Sequence, residues 1–112
     1  MWLNVTQILS VYKIEMHISL IITTYNRPDA LLVVLKSVES QRQLPNEVII
    51  ADDGSDGETH KLIKDFSAKS KLKVIHSFQE DKGFRAAKSR NRAISKASGD
   101  YIIMIDGDIV LH

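Results

Sequence analysis

The sequence predicts an α/β fold, a Rossmann-like three-layer α/β/α arrangement around a mostly parallel sheet with strand order 3-2-1-4. Two observations predict it. Four short apolar segments rich in β-branched residues alternate with three segments of helical periodicity. The helical segments also have the length that right-handed crossovers between parallel strands require.

Composition restricts the classes of function. The chain has 112 residues, of which 44% are hydrophobic and 26% charged, as in an ordinary single globular domain. A net charge of +1 gives no reason to expect a nucleic-acid partner. No apolar stretch approaches the roughly 18 residues of a transmembrane segment. The absence of cysteine excludes a thiol nucleophile and fits a reducing cytoplasm. We expect a cytoplasmic chain, or one peripheral to the inner face of the membrane.

The first strand and the first helix follow a short leading segment. Residues 1–15 are mixed in character and are expected to be an N-terminal appendage, so that the domain spans residues 16–112. "HISLIITTY", residues 17–25, is nearly continuous in apolar character, as in a strand covered on both faces. Pro28 suits the first turn of a helix. The helix "DALLVVLKSVESQ" then presents an apolar face made of Leu31, Leu35 and Val38.

The remaining elements repeat this alternation. Residues 48–51 form a second strand that ends at two aspartates, and "ETHKLIKDFSAKS" is a helix with an apolar stripe. "KLKVIHSF" alternates as a third strand. The third helix, "GFRAAKSRNRAISKAS", is expected to end at Gly99 in the C′ position, before the fourth strand "YIIMID". Its inward-facing residues are predicted to be Ala86, Ala87, Ala93 and Ile94.

The predicted topology brings polar residues from distant parts of the sequence into one crevice. In an open parallel sheet the ligand lies beyond the carboxyl ends of the strands, where the strand order reverses. With order 3-2-1-4 this point falls between strands one and four. The residues expected there are Thr23, Tyr25, Arg27, Asp52, Asp53, Asp106 and Asp108.

Paired carboxylates are the main candidates for metal binding. Asp106 and Asp108 flank Gly107, which frees the backbone to turn both carboxylates toward one ion, and such a pair suits Mg²⁺ or Mn²⁺. The same tripeptide also makes an ordinary turn after a strand. Asp52 and Asp53 have the same two explanations, since "DDGS" favours a turn in which Ser55 or Asp56 caps the next helix.

Other polar residues are weaker candidates. The segment 82–96 carries six basic residues, most of them expected on a solvated helix face. Arg85 is the exception, because it falls near a helix N-terminus that favours anions. The four histidines lack the spacing of metal ligands and are expected to be solvated or structural. They are His17, His60, His76 and His112.

The segments "ISLIITTYNRPDALLVVLKSV", "EVIIADDGSDGET", "GFRAAKSRNRAI" and "GDYIIMIDGD", in this order, resemble the nucleotide-binding half of a family 2 glycosyltransferase of the GT-A fold. The resemblance covers residues 18–108. It implies transfer of a sugar from a nucleoside-diphosphate sugar to a saccharide or lipid-linked acceptor, with inversion at the anomeric carbon and a divalent metal ion, Mn²⁺ or Mg²⁺. Cell-envelope polysaccharide biosynthesis is the process it suggests.

The resemblance also implies roles for individual residues. Thr23 and Tyr25 match residues that line the nucleoside pocket, and Asp53 matches the carboxylate that recognises the base. Arg85 matches a basic residue that holds the nucleotide. The ends of the family's DxD motif correspond to Asp106, near the donor's ribose or sugar and the metal, and to Asp108, which meets the metal most directly. The family's "ARN" pattern reads "SRN" here, a departure at Ser89.

No residue can be assigned as the general base, because the family takes that carboxylate from a segment after the DxD motif. We therefore expect a donor-binding part of a longer transferase, inactive alone.

Two other functions fit part of the sequence. A phosphatase of the haloacid-dehalogenase type would use Asp106 as nucleophile, but its further catalytic groups should follow the motif. A non-catalytic Mg²⁺-binding module explains the carboxylates but not "TTYN". An uncovered fourth strand further predicts self-association through the sheet edge.

Overall fold

The computed structural model describes residues 4, 5, 7, 16–83, 85–109 and 111. Most of the predicted appendage therefore lies outside the described residues, and the domain limits stay a prediction. The described chain forms four strands and three helices in strict alternation. In chain order they are β1 (Ile18–Thr24), α1 (Pro28–Glu39), β2 (Glu47–Asp52), α2 (Gly57–Lys69), β3 (Val74–Phe78), α3 (Ala86–Lys96) and β4 (Tyr101–Asp106).

The strands form one parallel sheet in the order β3-β2-β1-β4, which confirms the predicted topology. The register aligns the carboxyl ends of three strands: Thr23 on β1 is level with Ala51 on β2 and with Asp106 on β4. The side chains that follow these strands therefore emerge at one edge of the sheet. This is the edge at which a doubly wound sheet binds its ligand.

The sheet is covered on both faces along β1 and β2, because successive residues of a strand point to opposite sides. On one side, Leu20 and Ile22 belong to a core cluster that includes Leu31 and Leu35 of α1 and Ile63 of α2. On the other side, a smaller cluster joins Ile21, Ile49, Ala51 and Ala93 of α3. The three-layer α/β/α architecture is thus confirmed, and the predicted apolar face of α1 is fully buried.

The inward face of α3 differs from the prediction. Ala93 is buried as expected, but Ala87 and Ile94 are exposed and Ser89 takes an inward position. The helix packs through small residues, which carry little signal of direction in the sequence. Gly99 is not the C′ glycine of α3, because the helix ends with Ala97 as its C-cap, and the φ of Gly99 is not positive. Its Cα instead lies so close to β1 that an added Cβ would meet the Oγ of Ser19 at 2.6 Å.

The starts of α1 and α2 follow local sequence signals. Pro28 occupies the first turn of α1, as predicted. Asp56 caps α2, where its carboxylate accepts a hydrogen bond from the Glu58 amide at 3.2 Å. The predicted alternative, Ser55, is buried and contacts the β1–α1 loop instead.

Strand β4 lies at one edge of the sheet and is poorly covered. Four consecutive residues expose large apolar side chains, with Tyr101 57% and Ile103 47% exposed. Only Ile105 packs against the main core among the described residues of this strand. Unpaired strand edges with apolar side chains favour pairing with another chain. The predicted self-association therefore remains a prediction with a defined surface.

Candidate functional site

A cavity of about 530 Å³ opens at the carboxyl edge of the sheet, beyond β1, β2 and β4. Of the residues predicted to form a site, Thr23, Tyr25, Asp53, Asp106 and Asp108 all line it. Arg27 lines it as well. Asp52 does not, and neither does Arg85. The remaining polar lining residues are Thr24, Asp81, Ser89 and Arg90.

The tip of β4 is packed directly against β1. The Thr23 hydroxyl donates a hydrogen bond to Asp106 Oδ1 at 3.2 Å, and the Ile109 amide closes a turn onto the Asp106 carbonyl at 3.1 Å. Gly107 passes so close to the Thr23 carbonyl oxygen that an added Cβ would overlap with it. Glycine is thus required here by close approach of two backbones, and the turn leaves Asp106 and Asp108 exposed to the cavity.

Asp53 is 7% exposed and links three segments of the cavity wall. Its Oδ1 accepts a hydrogen bond from Gln79 Nε2 at 2.5 Å, and its Oδ2 accepts one from the backbone N–H of Arg85 at 2.9 Å. Arg85 is the residue that precedes α3. The carboxylate therefore fixes the start of α3 relative to β2, and each oxygen retains a lone pair for a further donor.

The side chain of Arg85 leads away from this cavity. Its Nη2 donates to the Glu80 carbonyl oxygen at 3.0 Å, within a separate, more basic depression that Lys82, Lys88 and Arg92 also line. The basic residue of α3 that reaches the main cavity is Arg90. Sequence reasoning missed it, although helical spacing places it one turn after Ala86, on the same side of α3.

Asp81 is a second residue that sequence reasoning missed. The Tyr25 hydroxyl donates to Asp81 Oδ2 at 2.7 Å, and the Gly83 amide donates to Asp81 Oδ1 at 3.2 Å. The hydrogen bond to Asp81 and the charge of that carboxylate raise the pKa of Tyr25. Gly54, with φ of 96°, lies against this loop, because an added Cβ would meet Asp81 Cα at 2.5 Å. No local pattern in the sequence predicts this contact.

Asp52 stabilises the loops behind the cavity rather than lining it. It is fully buried, with Oδ1 accepting from the Ser55 amide at 2.9 Å and Oδ2 lying 2.8 Å from His76 Nε2. Burial alone would raise the pKa of Asp52, but the hydrogen bonds from His76 and Ser55 outweigh it and lower the pKa. The Ser55 hydroxyl accepts from the Asn26 amide at 2.8 Å, which ties the β1–α1 loop to the β2–α2 loop.

The charges of the cavity bear on which ligands fit. Four carboxylates and two guanidinium groups line it. They are those of Asp53, Asp81, Asp106, Asp108, Arg27 and Arg90. An anionic ligand near β4 would meet repulsion unless a cation came with it. Among the described residues, no third carboxylate or imidazole lies close enough to Asp106 and Asp108 to complete a cation site of protein ligands alone. The pair fits a hard cation that shares its remaining positions with water and ligand oxygens.

Comparison with known proteins assigns the family. The sequence profile of "Glycosyl transferase family 2" matches residues 19–112. The chain belongs to this family. A family 2 relative, the hyaluronan synthase of Pasteurella multocida, is 36% identical over 93 residues, which cover 82% of this chain and 9% of the synthase. The chondroitin synthase of Escherichia coli is 30% identical over 93 residues, covering 82% of this chain and 13% of that enzyme.

Solved structures confirm the fold. S. aureus TarS 1-349, in complex with UDP-GlcNAc, superposes with a TM-score of 0.65 at 30% identity, covering 83% of this chain and 27% of the TarS chain. The mannosyltransferase PcManGT from Pyrobaculum calidifontis, in complex with GDP-Man and Mn²⁺, gives a TM-score of 0.71 at 21% identity, covering 87% of this chain and 29% of that one. The family 2 chain thus spans under a third of both structures.

No helix in the described part of this family 2 chain combines the length and the apolar character needed to cross a membrane.

Proposed function

We propose that this chain is the donor-binding part of an inverting family 2 glycosyltransferase, and that it binds a nucleoside-diphosphate sugar together with a divalent metal ion, Mn²⁺ or Mg²⁺. One observation carries the proposal. The acidic tip of β4, Asp106 and Asp108, opens into the same cavity as Asp53 and Tyr25. A cavity that holds one carboxylate pair for a cation and further polar side chains away from β4 suits a ligand with a diphosphate at one end and a base at the other.

The nucleoside is proposed to lie between β1 and β2. Thr23 and Tyr25 line the pocket, and Asp53 accepts a hydrogen bond from a base N–H through a lone pair left by Gln79 and Arg85. Tyr25 is 47% exposed, so its ring offers a surface for the nucleoside. TarS at 30% identity supports UDP as the nucleotide.

The diphosphate is proposed to lie toward β4. Asp108 and Asp106 would hold the cation, which would neutralise charge on the departing diphosphate. Asp106 would also contact the ribose or the sugar. Arg85 was expected to hold the nucleotide. Its side chain lines the neighbouring depression, so we assign the anion contact within the main cavity to Arg90 and keep Arg85 as the backbone partner of Asp53.

The scope of the proposal is the donor site. Residues 16–112 would supply it, and the general base and the acceptor site are assigned to no residue among those described. The acceptor is proposed to be a saccharide or a lipid-linked saccharide, used on the cytoplasmic side of a membrane. We expect the purified 112-residue chain to bind donor without transferring sugar, and measurable transfer would contradict this division of roles.

Donor binding can be tested by thermal unfolding of the purified chain. UDP-, GDP-, CDP- and dTDP-sugars would be added with and without Mn²⁺. A ligand at one hundred times its dissociation constant stabilises a protein by about 2.7 kcal/mol. For a domain of this size that corresponds to a rise in Tm of ~10 °C. We expect this rise for one class of nucleotide sugar, and mainly in the presence of Mn²⁺.

Two Asp→Asn variants distinguish the metal site from a general effect of charge. Asp108→Asn should lose the Mn²⁺-dependent part of the rise, because the variant keeps the fold but removes the carboxylate proposed to bind the metal. Asp65→Asn, an exposed carboxylate on α2, should behave as the parent chain. Binding of Mn²⁺ with no preference among nucleotides would instead favour a non-catalytic metal-binding module.

A further inference from the structure

Two of the four histidines lie beside a buried carboxylate, away from the donor cavity. Asp52, at the end of β2, points to the face of the sheet that α1 and α2 cover, whereas Asp53 points to the α3 face. His76 of β3 lies next to Asp52 on that same face, and His60 reaches them from the first turns of α2. The sequence gives no hint of this grouping, since the three residues are separated by 8 and 16 positions.

The three side chains lie close enough together to share one metal ion. One ligand atom from each lies within 4.8 Å of the others, and no other group of three such residues does so among those described. The imidazole rings of His60 and His76 have centroids 4.7 Å apart. In a tetrahedral zinc site with bonds of about 2.1 Å, ligand atoms lie ~3.4 Å apart. Asp52 Oδ2 and His76 Nε2 lie 2.8 Å apart in a hydrogen bond, which a bound ion would replace.

The surroundings of the cluster favour this role. Asp52 Oδ1 is held by the Ser55 amide at 2.9 Å, which leaves Oδ2 directed at His76, 2.8 Å away. The ring of Phe78 packs against His60 with a centroid separation of 4.6 Å, so that one side of the cluster is apolar. The side chain of His76 is 21% exposed, which leaves a route for an ion and for a fourth ligand from solvent.

We propose that Asp52, His60 and His76 form a cation site for a transition-metal ion such as Zn²⁺, distinct from the oxygen-only site of Asp106 and Asp108. Two imidazoles and one carboxylate suit Zn²⁺ and Co²⁺, whereas Mg²⁺ prefers oxygen ligands alone. A bound ion would join β2, β3 and α2 at one point. Because Asp52 precedes Asp53, the ion would also fix the base-binding side of the donor cavity.

The experiment uses the whole 112-residue chain after removal of metal by a chelator. Co²⁺ alone is titrated and followed by its visible absorption, and Zn²⁺ alone is titrated by calorimetry. We expect one ion per chain at this site, with the intense absorption bands of tetrahedral Co²⁺ and a higher Tm in Zn²⁺. Weak bands of octahedral Co²⁺, or the absence of saturable Zn²⁺ binding, would overturn the proposal.

Substitutions locate the site. Removing a residue that only hydrogen-bonds to a metal ligand weakens metal affinity by roughly 10- to 100-fold. Removing a ligand itself should cost no less, so His60→Ala should weaken Zn²⁺ binding by at least ~10-fold. His17→Ala is the matched control. His17 contacts Asn46 where β1 and β2 begin, at the other end of the strands from the cluster, so this variant should keep the Zn²⁺ affinity of the parent chain.

A second variant separates loss of a metal ligand from loss of the fold. His60→Asn keeps a polar side chain on α2, and the metal-free variant should retain the circular dichroism of the parent chain while losing Zn²⁺ affinity to the same extent. Zn²⁺ binding that is equal in the parent chain and in both His60 variants would show that Asp52 and His76 form only a structural hydrogen bond.

Discussion

Substitution of Asp53 by asparagine tests how the wall of the donor cavity is held. Asp53 accepts from Gln79 Nε2 at 2.5 Å and from the Arg85 amide at 2.9 Å. Asparagine has the same shape but replaces one acceptor oxygen with an NH₂ donor. If the asparagine oxygen faces the Arg85 amide, its NH₂ group meets the Gln79 NH₂ group, and two donors oppose each other.

Rotation of the Gln79 amide does not relieve this conflict. Gln79 Nε2 also donates to the Arg85 carbonyl oxygen at 3.2 Å, so the rotated amide would bring two oxygens together. The substitution therefore loses one hydrogen bond to a charged group, a loss of about 1.5–3 kcal/mol in the free energy of unfolding. At ~4 °C per kcal/mol, we expect the Tm of Asp53→Asn to fall by roughly 6–12 °C.

Thermal unfolding followed by circular dichroism measures this change, and Asp56→Asn is the matched control. That variant makes the same chemical change on the same loop, but Asp56 is an exposed N-cap at which asparagine is about as favourable. Its Tm should stay within about 2 °C of the parent value. If the two variants unfold at the same temperature, the reasoning about Asp53 is refuted.

Three other predictions concern stability, geometry and association. Gly107→Ala should keep the fold but weaken Mn²⁺-dependent nucleotide binding in calorimetry, since a Cβ would overlap with the Thr23 carbonyl oxygen; unchanged affinity would contradict this. Burial would raise the pKa of Glu47, but hydrogen bonds from the Ser19 hydroxyl and the Ser98 amide outweigh it and lower the pKa in the folded state. The stability that ionised Glu47 contributes is therefore present above about pH 4.3, the usual pKa of glutamate, and is lost as the pH falls through the lower pKa of the folded state. Urea unfolding at pH 7 and below pH 4 should therefore show that acidification lowers the free energy of unfolding less in Glu47→Gln than in the parent chain. Sedimentation should show concentration-dependent self-association that Ile103→Lys abolishes, and a parent chain that is monomeric throughout would rule this out.

The fold was largely predictable because its signals are local. The fourth strand "YIIMID" was predicted with the bounds it has, since a loop residue and a turn glycine bracket an apolar run. The strand order followed from general rules for parallel sheets. The inward face of α3 was predicted less well, because alanine and serine differ little in size and the buried Ser89 carries no apolar signal.

The candidate site was predictable only in part, for physical reasons. Residues at strand ends, such as Asp53 and Asp106, could be placed because strand ends share an edge. The contact between Tyr25 and Asp81 joins residues 56 positions apart and depends on the path of a loop, which no periodicity encodes. The direction of the Arg85 side chain depends on backbone angles just before α3, with φ of −133° and ψ of 49°, which the sequence does not specify.

The hydrogen bonds that tie the β1–α1 loop to the β2–α2 loop have a consequence for selectivity among ligands. Asn26 adopts a φ of 48°, donates its amide to the Ser55 hydroxyl and accepts the Asp56 amide at 2.8 Å. Two loops that are already ordered lose little conformational entropy when a ligand arrives. Differences in affinity between one nucleotide and another would then arise from direct contacts with the base, and a change of nucleotide preference would require few substitutions, all of them in side chains that face the cavity.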